Sequence, residues 1–231
     1  MLFIVNKDIP AAALKKLEKF GETIVFETIG ITYPAISNHP DIFFCVVDDK
    51  LVYAPNIHEH YIDQIKNGGF DSIAGSSKIG CEYPSTAKYN AAATNNYFIH
   101  NKNLTDETIT KLCLNKKLLD VKQGYTRCNL LALKNNNFIT SDRGIEKKLI
   151  DEKLPCLFVQ SDDISLPGFK HGFFGGACGV FDDNVFILGN LKNLYDGQNV
   201  KYFLEQLEYN IIELNDGNLF DAGSILIINQ T

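Results

Sequence analysis

The chain has 231 residues, with 22 Lys and Arg against 28 Asp and Glu, a formal net charge of −6 and a hydrophobic fraction of 45%. The apolar content is too high, and the net charge too small, for a disordered chain. The acidic balance argues against a nucleic-acid-binding protein, which needs a basic face, and no apolar run approaches the ~20 residues that span a bilayer. We therefore expect a globular protein with neither a nucleic-acid nor a membrane partner.

The cysteines and the N-terminus bear on the cellular compartment. The cysteines are widely spaced without a CxxC pair, and the apolar residues 2–5 are too few, and lack a preceding basic region, for a signal peptide. These features predict reduced thiols in a cytoplasmic protein. The cysteine positions are Cys45, Cys81, Cys113, Cys128, Cys156 and Cys178. Three of them lie within apolar patterns and are expected in the core, namely Cys45, Cys113 and Cys156.

The first predicted elements are a strand, a helix and a strand, at residues 2–5, 10–20 and 23–26. A hairpin follows, because residues 42–47 and 51–54 are rich in β-branched and aromatic side chains and are separated by a polar turn. Pro55-Asn56 then opens a helix with apolar residues at helical spacing, and residues 70–74 form another strand. The order of this unit is β-β-α-β.

The same order recurs along the chain. A fainter copy has strands at 89–94, 97–99 and 118–121, with a helix that starts at 105. The next has strands at 130–133, 138–140 and 157–159, with a helix capped by Ser141-Asp142. A further copy has strands at 179–181, 185–188 and 209–214, with a helix at 198–207. The lone strand at 224–228 combines with the N-terminal elements into a fifth unit.

Five units of about 46 residues, one of them divided between the two ends of the chain, predict a closed ring, since closure removes exposed sheet edges. We therefore predict a single α/β domain over residues 1–231. The units are 224–231 plus 1–38, 39–86, 87–125, 126–175 and 176–223. The alternative is an ordinary α+β domain in which strands and helices alternate by chance.

This rhythm resembles the pentein fold of the guanidino-group-modifying enzymes, a five-bladed pseudo-symmetric α/β propeller of ββαβ units closed by pairing of the N- and C-terminal strands. The superfamily includes arginine deiminases, dimethylarginine hydrolases, amidinotransferases and the non-catalytic ribosome anti-association factors. More narrowly, several runs are similar to an uncharacterised bacterial family of that fold. They are His39-Pro40-Asp41-Ile42, Lys122-Gln123-Gly124-Tyr125, Thr140-Ser141-Asp142, Gly172-Phe173-Phe174-Gly175-Gly176 and Asp221-Ala222-Gly223.

The resemblance implies a site at the mouth of the ring, where the first strands of the five units converge. In the enzymes of this fold a Cys attacks the guanidinium carbon, a His transfers protons, and carboxylates hold the guanidinium nitrogens. His39-Pro40-Asp41 matches their H-x-D run, Cys128 lies two units onward, and Asp221 lies one unit back. The family Cys sits in a Gly-rich run near the C-terminus, whereas residues 220–224 here contain no Cys. The implied site is therefore circularly shifted.

On this basis Cys128, His39 and Asp221 are the candidate catalytic residues. The candidate substrate-binding residues are Asp41, Asn129, Cys178 and Ser224. Asp41 and Asp221 would hold the guanidinium or orient His39. Tyr89 and Asn90 are also expected at the mouth of the ring, and no role is assigned to them. No cofactor is expected, and no metal site, because the His58-x-His60 pair has no evident third ligand.

The predicted function is a central pocket for a cationic guanidino compound, with Cys-dependent hydrolysis of the deiminase or dimethylargininase type, or amidinotransfer. The acidic charge is compatible with a cationic ligand. The rival hypothesis is a non-catalytic binding module that acts through its surface, like the anti-association factors. In that case Cys128 and Cys178 are small buried hydrophobes and His39 braces a strand. Residues 75–88, the longest irregular stretch, are predicted to form a lid, and the Gly-rich residues 172–179 shape the mouth.

Overall fold

The structure is a computed structural model and describes residues 1–230. The strands are β1 (Leu2–Asn6), β2 (Glu22–Phe26), β3 (Phe44–Val47), β4 (Lys50–Tyr53), β5 (Ser72–Ala74), β6 (Ala92–Ala93), β7 (Tyr97–His100), β8 (Lys117–Asp120), β9 (Leu130–Leu133), β10 (Asn137–Thr140), β11 (Cys156–Phe158), β12 (Cys178–Phe181), β13 (Asn184–Ile187), β14 (Asn210–Glu213) and β15 (Leu226–Ile228). The helices are α1 (Ala11–Leu17), α2 (Pro40–Phe43), α3 (Glu59–Asn67), α4 (Glu107–Leu112), α5 (Thr126–Asn129), α6 (Arg143–Asp151) and α7 (Gly197–Gln206).

These strands form five sheets of three strands each, in the orders β15-β1-β2, β3-β4-β5, β6-β7-β8, β9-β10-β11 and β12-β13-β14. In every sheet the middle strand is antiparallel to the first and parallel to the third. A helix lies in the connection between the middle and third strands, as a parallel pairing requires. The β-β-α-β order expected from the sequence is therefore present in each of the five sheets.

The first strands of the sheets contact one another in a cycle. β3 contacts β6, β6 contacts β9, β9 contacts β12, β12 contacts β15, and β15 contacts β3. Strands from the two ends of the chain share one sheet, with Leu2 opposite Ile228 and Ile4 opposite Leu226 in an antiparallel pair. The ladder between β1 and β15 therefore completes the divided unit.

The longer helices present one apolar face to the sheets. Tyr61 and Ile65 are buried on α3, and Val200 and Leu204 are buried on α7, at the spacing of one helix face. α6 begins at Asp142, whose carboxylate accepts the backbone N–H of Ile145, as its Ser141-Asp142 start predicts. On α6, Ile145 and Leu149 are buried, whereas Ile150 is exposed. In residues 1–230 no helix is both long enough and apolar enough to cross a bilayer.

Several predicted strands begin later than expected, and two of these differences matter for the site. Residues 42 and 43 belong to the one-turn helix α2, because Pro40 at its first position favours a helical start, and β3 begins at Phe44. Of the strand predicted at 89–94, only Ala92–Ala93 forms β6, since the main chain of Asn90 bonds to Ala87, Thr126 and Arg127 instead. Short helical turns also precede β9 and β12, at α5 and at Gly175–Ala177. These turns bring polar side chains to one end of the inner strands.

Candidate active site

The candidate site is a buried polar cluster at that end of the inner strands. His39 caps α2, Asp41 lies within it, Cys128 lies in α5, and Asp221 and Ser224 precede β15. Each of the five side chains is less than 5% exposed. Three parts of the chain that are far apart in sequence therefore place a His, a Cys, a Ser and two carboxylates together in the interior.

Asp41 joins the cluster through one carboxylate oxygen. Its Oδ2 accepts a hydrogen bond from Cys128 Sγ at 3.0 Å and another from Ser224 Oγ at 2.6 Å. Its other oxygen, Oδ1, is buried and has no hydrogen-bond partner among the described residues. Oδ2 thus accepts two hydrogen bonds, whereas Oδ1 can still accept hydrogen bonds from further N–H donors.

Asn90 holds Cys128 on a second side. Its Nδ2 donates to Cys128 Sγ at 3.1 Å and to the backbone oxygen of Asp41 at 3.1 Å, and its Oδ1 accepts the backbone N–H of Cys128 at 3.1 Å. The amide thereby bridges α2 and α5 and limits the positions open to the thiol. Asn90 was expected at the mouth of the ring, but no role was assigned to it. The sequence signal for it was its place in the predicted strand at 89–94, in the least distinct of the five units.

His39 and Asp221 form the other half of the cluster. His39 Nδ1 lies 3.9 Å from Asp221 Oδ1, within ion-pair range but beyond hydrogen-bond length, and has no hydrogen-bond partner within residues 1–230. The Asp221 carboxylate accepts backbone N–H groups from Phe173 at 2.9 Å and from Gly223 at 3.1 Å. Two main-chain donors therefore fix Asp221 in place, whereas His39 is held by packing.

Glycines make room for these side chains. A Cβ at Gly176 would overlap the Asp221 carboxylate, and a Cβ at Gly172 would overlap its Cβ. Gly223 has φ +73°, and a Cβ added at this residue would overlap the side chain of His39. The Asp221 carboxylate and the His39 imidazole are thus enclosed by closely packed backbone. This backbone belongs to the Gly-rich residues 172–179 and to the Asp221-Ala222-Gly223 run.

Burial controls the protonation of the cluster. It lowers the pKa of His39, and together with the charges of Asp41 and Asp221 it raises the pKa of the Cys128 thiol well above its ordinary value. Burial and the charge of Asp41 raise the pKa of Asp221 to about 7. Within residues 1–230, His39 is the only ion-pair partner of Asp221, and Asp41 has none. The cluster therefore lacks a protein cation, and a cationic ligand would favour both the carboxylates and a Cys128 thiolate.

Two predicted site residues lie outside the cluster. Asn129 donates to the backbone oxygen of Tyr125 and accepts from Ser141 Oγ, so its side chain ties α5 to the start of α6. Cys178 packs in the apolar core with Phe174 and Val185, and burial raises its thiol pKa. The structure thus brings together Cys128, His39, Asp221, Asp41 and Ser224, and it places Asn129 and Cys178 in structural positions.

Comparison with solved structures identifies the class of fold. DDAH from Pseudomonas aeruginosa, in complex with citrulline, superposes with a TM-score of 0.55 at 9% identity, covering 92% of this chain and 91% of that one. The amidinotransferase SxtG from Microseira wollei gives 0.54 at 12% identity, with 92% and 87% covered. C. jejuni agmatine deiminase gives 0.54 at 8% identity, with 93% and 75% covered. The chain therefore has the pentein fold, as the resemblance implied.

Within that fold the sequence assigns the chain to one family. The profile of the family of unknown function DUF6873 matches residues 4–226, and the chain belongs to this family. No curated protein matches the sequence. The similarity to the solved enzymes concerns the fold, so the activity has to be argued from the cluster itself.

Proposed function

We propose that this protein binds a small cationic guanidino compound at the His39–Asp41–Cys128–Asp221 cluster and hydrolyses it, as a deiminase or dimethylargininase does, with Cys128 as the nucleophile. The observation that carries the proposal is a buried thiol beside two carboxylates and a His, which have no Lys or Arg ion-pair partner within residues 1–230. A guanidinium group supplies that charge and offers planar N–H donors to carboxylate oxygens. The relative from Pseudomonas aeruginosa, whose own ligand is citrulline, supports a ligand of this chemistry.

The carboxylates would bind the cation before the chemistry begins. Asp41 Oδ1, which has no partner, accepts one guanidinium N–H, and the Asp221 carboxylate accepts another. Ser224 holds Asp41 Oδ2 in position through its 2.6 Å hydrogen bond. The positive charge of the bound guanidinium then lowers the cost of the Cys128 thiolate, which is the attacking species.

Two steps complete the proposed hydrolysis. Cys128 Sγ forms a bond to the guanidinium carbon as its proton passes by way of Asp41 to His39, and one C–N bond breaks as His39 gives this proton to the departing nitrogen. Water, deprotonated by His39, then attacks the same carbon and the C–S bond breaks, which regenerates the thiol. The products are an amine or ammonia and a ureido compound. Transfer of the amidino group to an amine in place of water would be the amidinotransferase variant of the same chemistry.

Ligand entry requires a movement of the covering loops, because Cys128 is only 4% exposed. Residues 75–88 contact the chain next to the cluster, where Thr86 Oγ1 and the Tyr125 hydroxyl lie 2.6 Å apart. Tyr125 immediately precedes α5, which carries Cys128. We therefore assign the lid to residues 75–88 and its latch to the contact between Thr86 and Tyr125.

We also infer that the five sheets form one closed, pseudo-symmetric propeller in a single domain. The cyclic contacts of the inner strands and the β1–β15 ladder support this arrangement. The units are those expected from the sequence, namely 224–231 plus 1–38, 39–86, 87–125, 126–175 and 176–223, with residue 231 outside the described part. Convergence of the cluster is a direct consequence, since the inner strands meet around one axis.

The test is ureido-product formation from a panel of arginine, methylated arginines and agmatine. Wild-type protein is expected to turn over at least one of them, Cys128→Ser to lose turnover, and His39→Asn to lose roughly 10²–10⁴-fold. Cys156→Ser, which alters a partly exposed thiol in β11, outside the cluster, is the matched control and should retain full activity. Equal turnover by Cys128→Ser and wild type would refute the role of Cys128. Calorimetric binding without turnover would identify a non-catalytic binding module.

A further inference from the structure

We propose that this protein binds a short-chain monocarboxylate in a channel between its inner strands, with the carboxylate paired to the guanidinium of Arg127. The channel has a volume of about 230 Å³, and all five inner strands contribute residues to its wall. It opens at the end of the strands opposite the His39–Asp41–Cys128–Asp221 cluster, so the proposal does not depend on the proposed hydrolysis.

The opening lies where the inner strands end. The cluster precedes these strands, whereas Asp48 and Asn95, which also line the channel, lie in the turns that follow β3 and β6. Each inner strand contributes one partly exposed residue near its end. These residues are Val46, Ala93, Ala132, Val180 and Ile227. A ligand therefore reaches the channel from the turns without passing the cluster.

The Arg127 guanidinium lies at the inner end of the channel. Its Nη1 donates to the backbone oxygens of Gly175 at 3.1 Å and Leu130 at 3.4 Å, and its Nη2 donates to that of Cys178 at 3.2 Å. Leu130 and Cys178 are the first residues of β9 and β12, so the guanidinium is held where these strands begin. Three carbonyl oxygens thus fix the position of this cation without neutralising its charge.

Arg127 is partly buried, and no carboxylate pairs with it within residues 1–230. The other arginine of the chain, Arg143, pairs with Glu146 at 2.8 Å on the surface. A guanidinium has five N–H donors, and the three hydrogen bonds of Arg127 leave one donor on Nε and one on Nη2. These neighbouring nitrogens form one edge of the guanidinium, where a carboxylate accepts with both oxygens. A bound carboxylate would therefore supply the charge and the acceptors that this cation lacks.

The wall of the channel suits an alkyl chain. Ala92, Ala93 and Ala132 have small side chains that leave the space open, while Val46 and Ile227 offer apolar contacts. A cavity of ~150 Å³ accommodates benzene. A channel of about 230 Å³ therefore has room for butyrate, an acid with the same number of heavy atoms.

Charge limits the ligand to a monoanion. Asp48 at the opening pairs with Lys116 at 2.6 Å, so its own charge is largely compensated. The protein has a formal net charge of −6, which repels a dianion more strongly than a monoanion. One carboxylate also matches the single positive charge of Arg127.

The experiment titrates isotopically labelled full-length protein with butyrate and follows the Nε–H signals of its two arginines by NMR. The Arg127 signal should shift until the site is saturated, because the carboxylate accepts this N–H, while the Arg143 signal stays in place. Arg143→Lys removes one signal and thereby assigns both. An unchanged Arg127 signal, or equal shifts of the two signals, would overturn the proposal.

A blocking variant tests the channel and leaves Arg127 in place. Ala132→Leu enlarges a side chain in the wall near the opening, and it should weaken butyrate binding at least about tenfold. Ala12→Leu makes the same change at an exposed position of α1 and should bind butyrate as wild type does. Circular dichroism checks that both variants are folded. Binding of wild-type strength by Ala132→Leu would show that the ligand lies outside the channel.

A series of acids needs no substitution in the channel. Affinity should rise about threefold for each methylene added from acetate to propionate to butyrate, because each is buried against the apolar wall. Butylamine, which has the chain but not the anion, should leave the Arg127 signal unchanged. Affinity that does not rise along the series would indicate a surface ion pair and contradict the channel. Cys128→Ser should bind butyrate as wild type does, so failure of the anion site and failure of the hydrolysis are recognised separately.

Discussion

At the scale of single residues, the candidate site depends on side chains that have no room to move. Asp221 is fixed by two backbone N–H groups and by glycines that admit no Cβ, and Cys128 is fixed by Asn90 and Asp41. His39 is the exception, because its Nδ1 has no hydrogen bond and the backbone of Gly223 packs against its Cβ. The position of the imidazole is therefore set by one glycine.

Gly223→Ala should displace His39 and destabilise the protein. The residue has φ +73°, which is unfavourable for alanine, and the added methyl would overlap His39. We expect a loss of about 3 kcal/mol in the free energy of unfolding, of which about 1 kcal/mol is backbone strain. Urea denaturation measures it. Gly30→Ala is the matched control, since Gly30 has φ +74° but open space around its Cβ position, and it should lose only the strain part. Equal losses would show that His39 is not packed as described.

At the scale of elements, short helical turns and one anchored loop shape the site. α2 replaces the first two residues of the strand predicted at 42–47, whereas α5 and the turn at Gly175–Ala177 directly precede β9 and β12. α2 and α5 place Asp41 and Cys128 beside each other. The loop at 75–88 is attached to the start of α4 by Asp106. This carboxylate accepts the backbone N–H groups of Ser76, Ser77 and Thr108 and the Ser76 hydroxyl.

Asp106→Asn should loosen the loop without unfolding the protein. Burial alone would raise the pKa of Asp106, but its hydrogen bonds to Ser76, Thr108 and Ser77 outweigh burial and lower it, so the ionised form is the one that holds the loop. We expect a loss of about 2 kcal/mol in stability and faster amide exchange across residues 75–88, measured by hydrogen–deuterium exchange.

The control for this element is Asp142→Asn, which also removes a charged helix cap but lies at α6. It should lower stability by about 1 kcal/mol and leave exchange in residues 75–88 unchanged. If both variants affect exchange in that loop alike, Asp106 is a helix cap and not the anchor of a lid.

At the scale of the whole molecule, the two ends of the chain are neighbours in one sheet. β15 lies between β1 and β3, so it supplies both the ladder to β1 and the position of Ser224 beside Asp41. Every sheet is built from one antiparallel pair and one parallel strand, and the inner strands contact one another in a cycle. We therefore expect the fold to depend on the presence of all five sheets more than on continuity of the chain at any one connection.

A circular permutant should therefore fold. Joining residue 231 to residue 1 by a short Gly-Ser linker, and opening the chain in the exposed turn between Asp182 and Asp183, keeps every strand pairing. We expect a single unfolding transition and a free energy of unfolding within about 1 kcal/mol of wild type, measured by urea denaturation. Deletion of residues 224–231 is the contrasting variant and should fail to fold, since it leaves the edge of β1 opposite β2 unpaired and removes Ser224. Stable folding of that deletion would contradict the closing role of β15.

The order of elements is encoded locally. Hydrophobic alternation, helix caps such as Asp142 and polar turns such as Asp182-Asp183 act within about ten residues, so the β-β-α-β rhythm could be read from the chain, and with it the pentein resemblance that the structure confirms. The H-x-D run at His39 was visible for the same reason. The start of β3 at Phe44 was not, because the turn α2 depends on a contact with a distant residue, the hydrogen bond from the Asp41 backbone N–H to the Gly223 oxygen.

Only the tertiary structure decided which polar residues meet. Cys128 and Cys178 are both small thiols before or within an inner strand, and the chain alone does not distinguish them. Packing puts Cys178 in the apolar core and Cys128 against Asp41, 87 residues away in sequence. The same is true of Asn90, whose importance arises from a bridge between two units. Local sequence determines the elements, because their signals are short-range. The burial of His39, Asp41 and Asp221 without a Lys or Arg partner among the described residues is decided only when all five sheets come together.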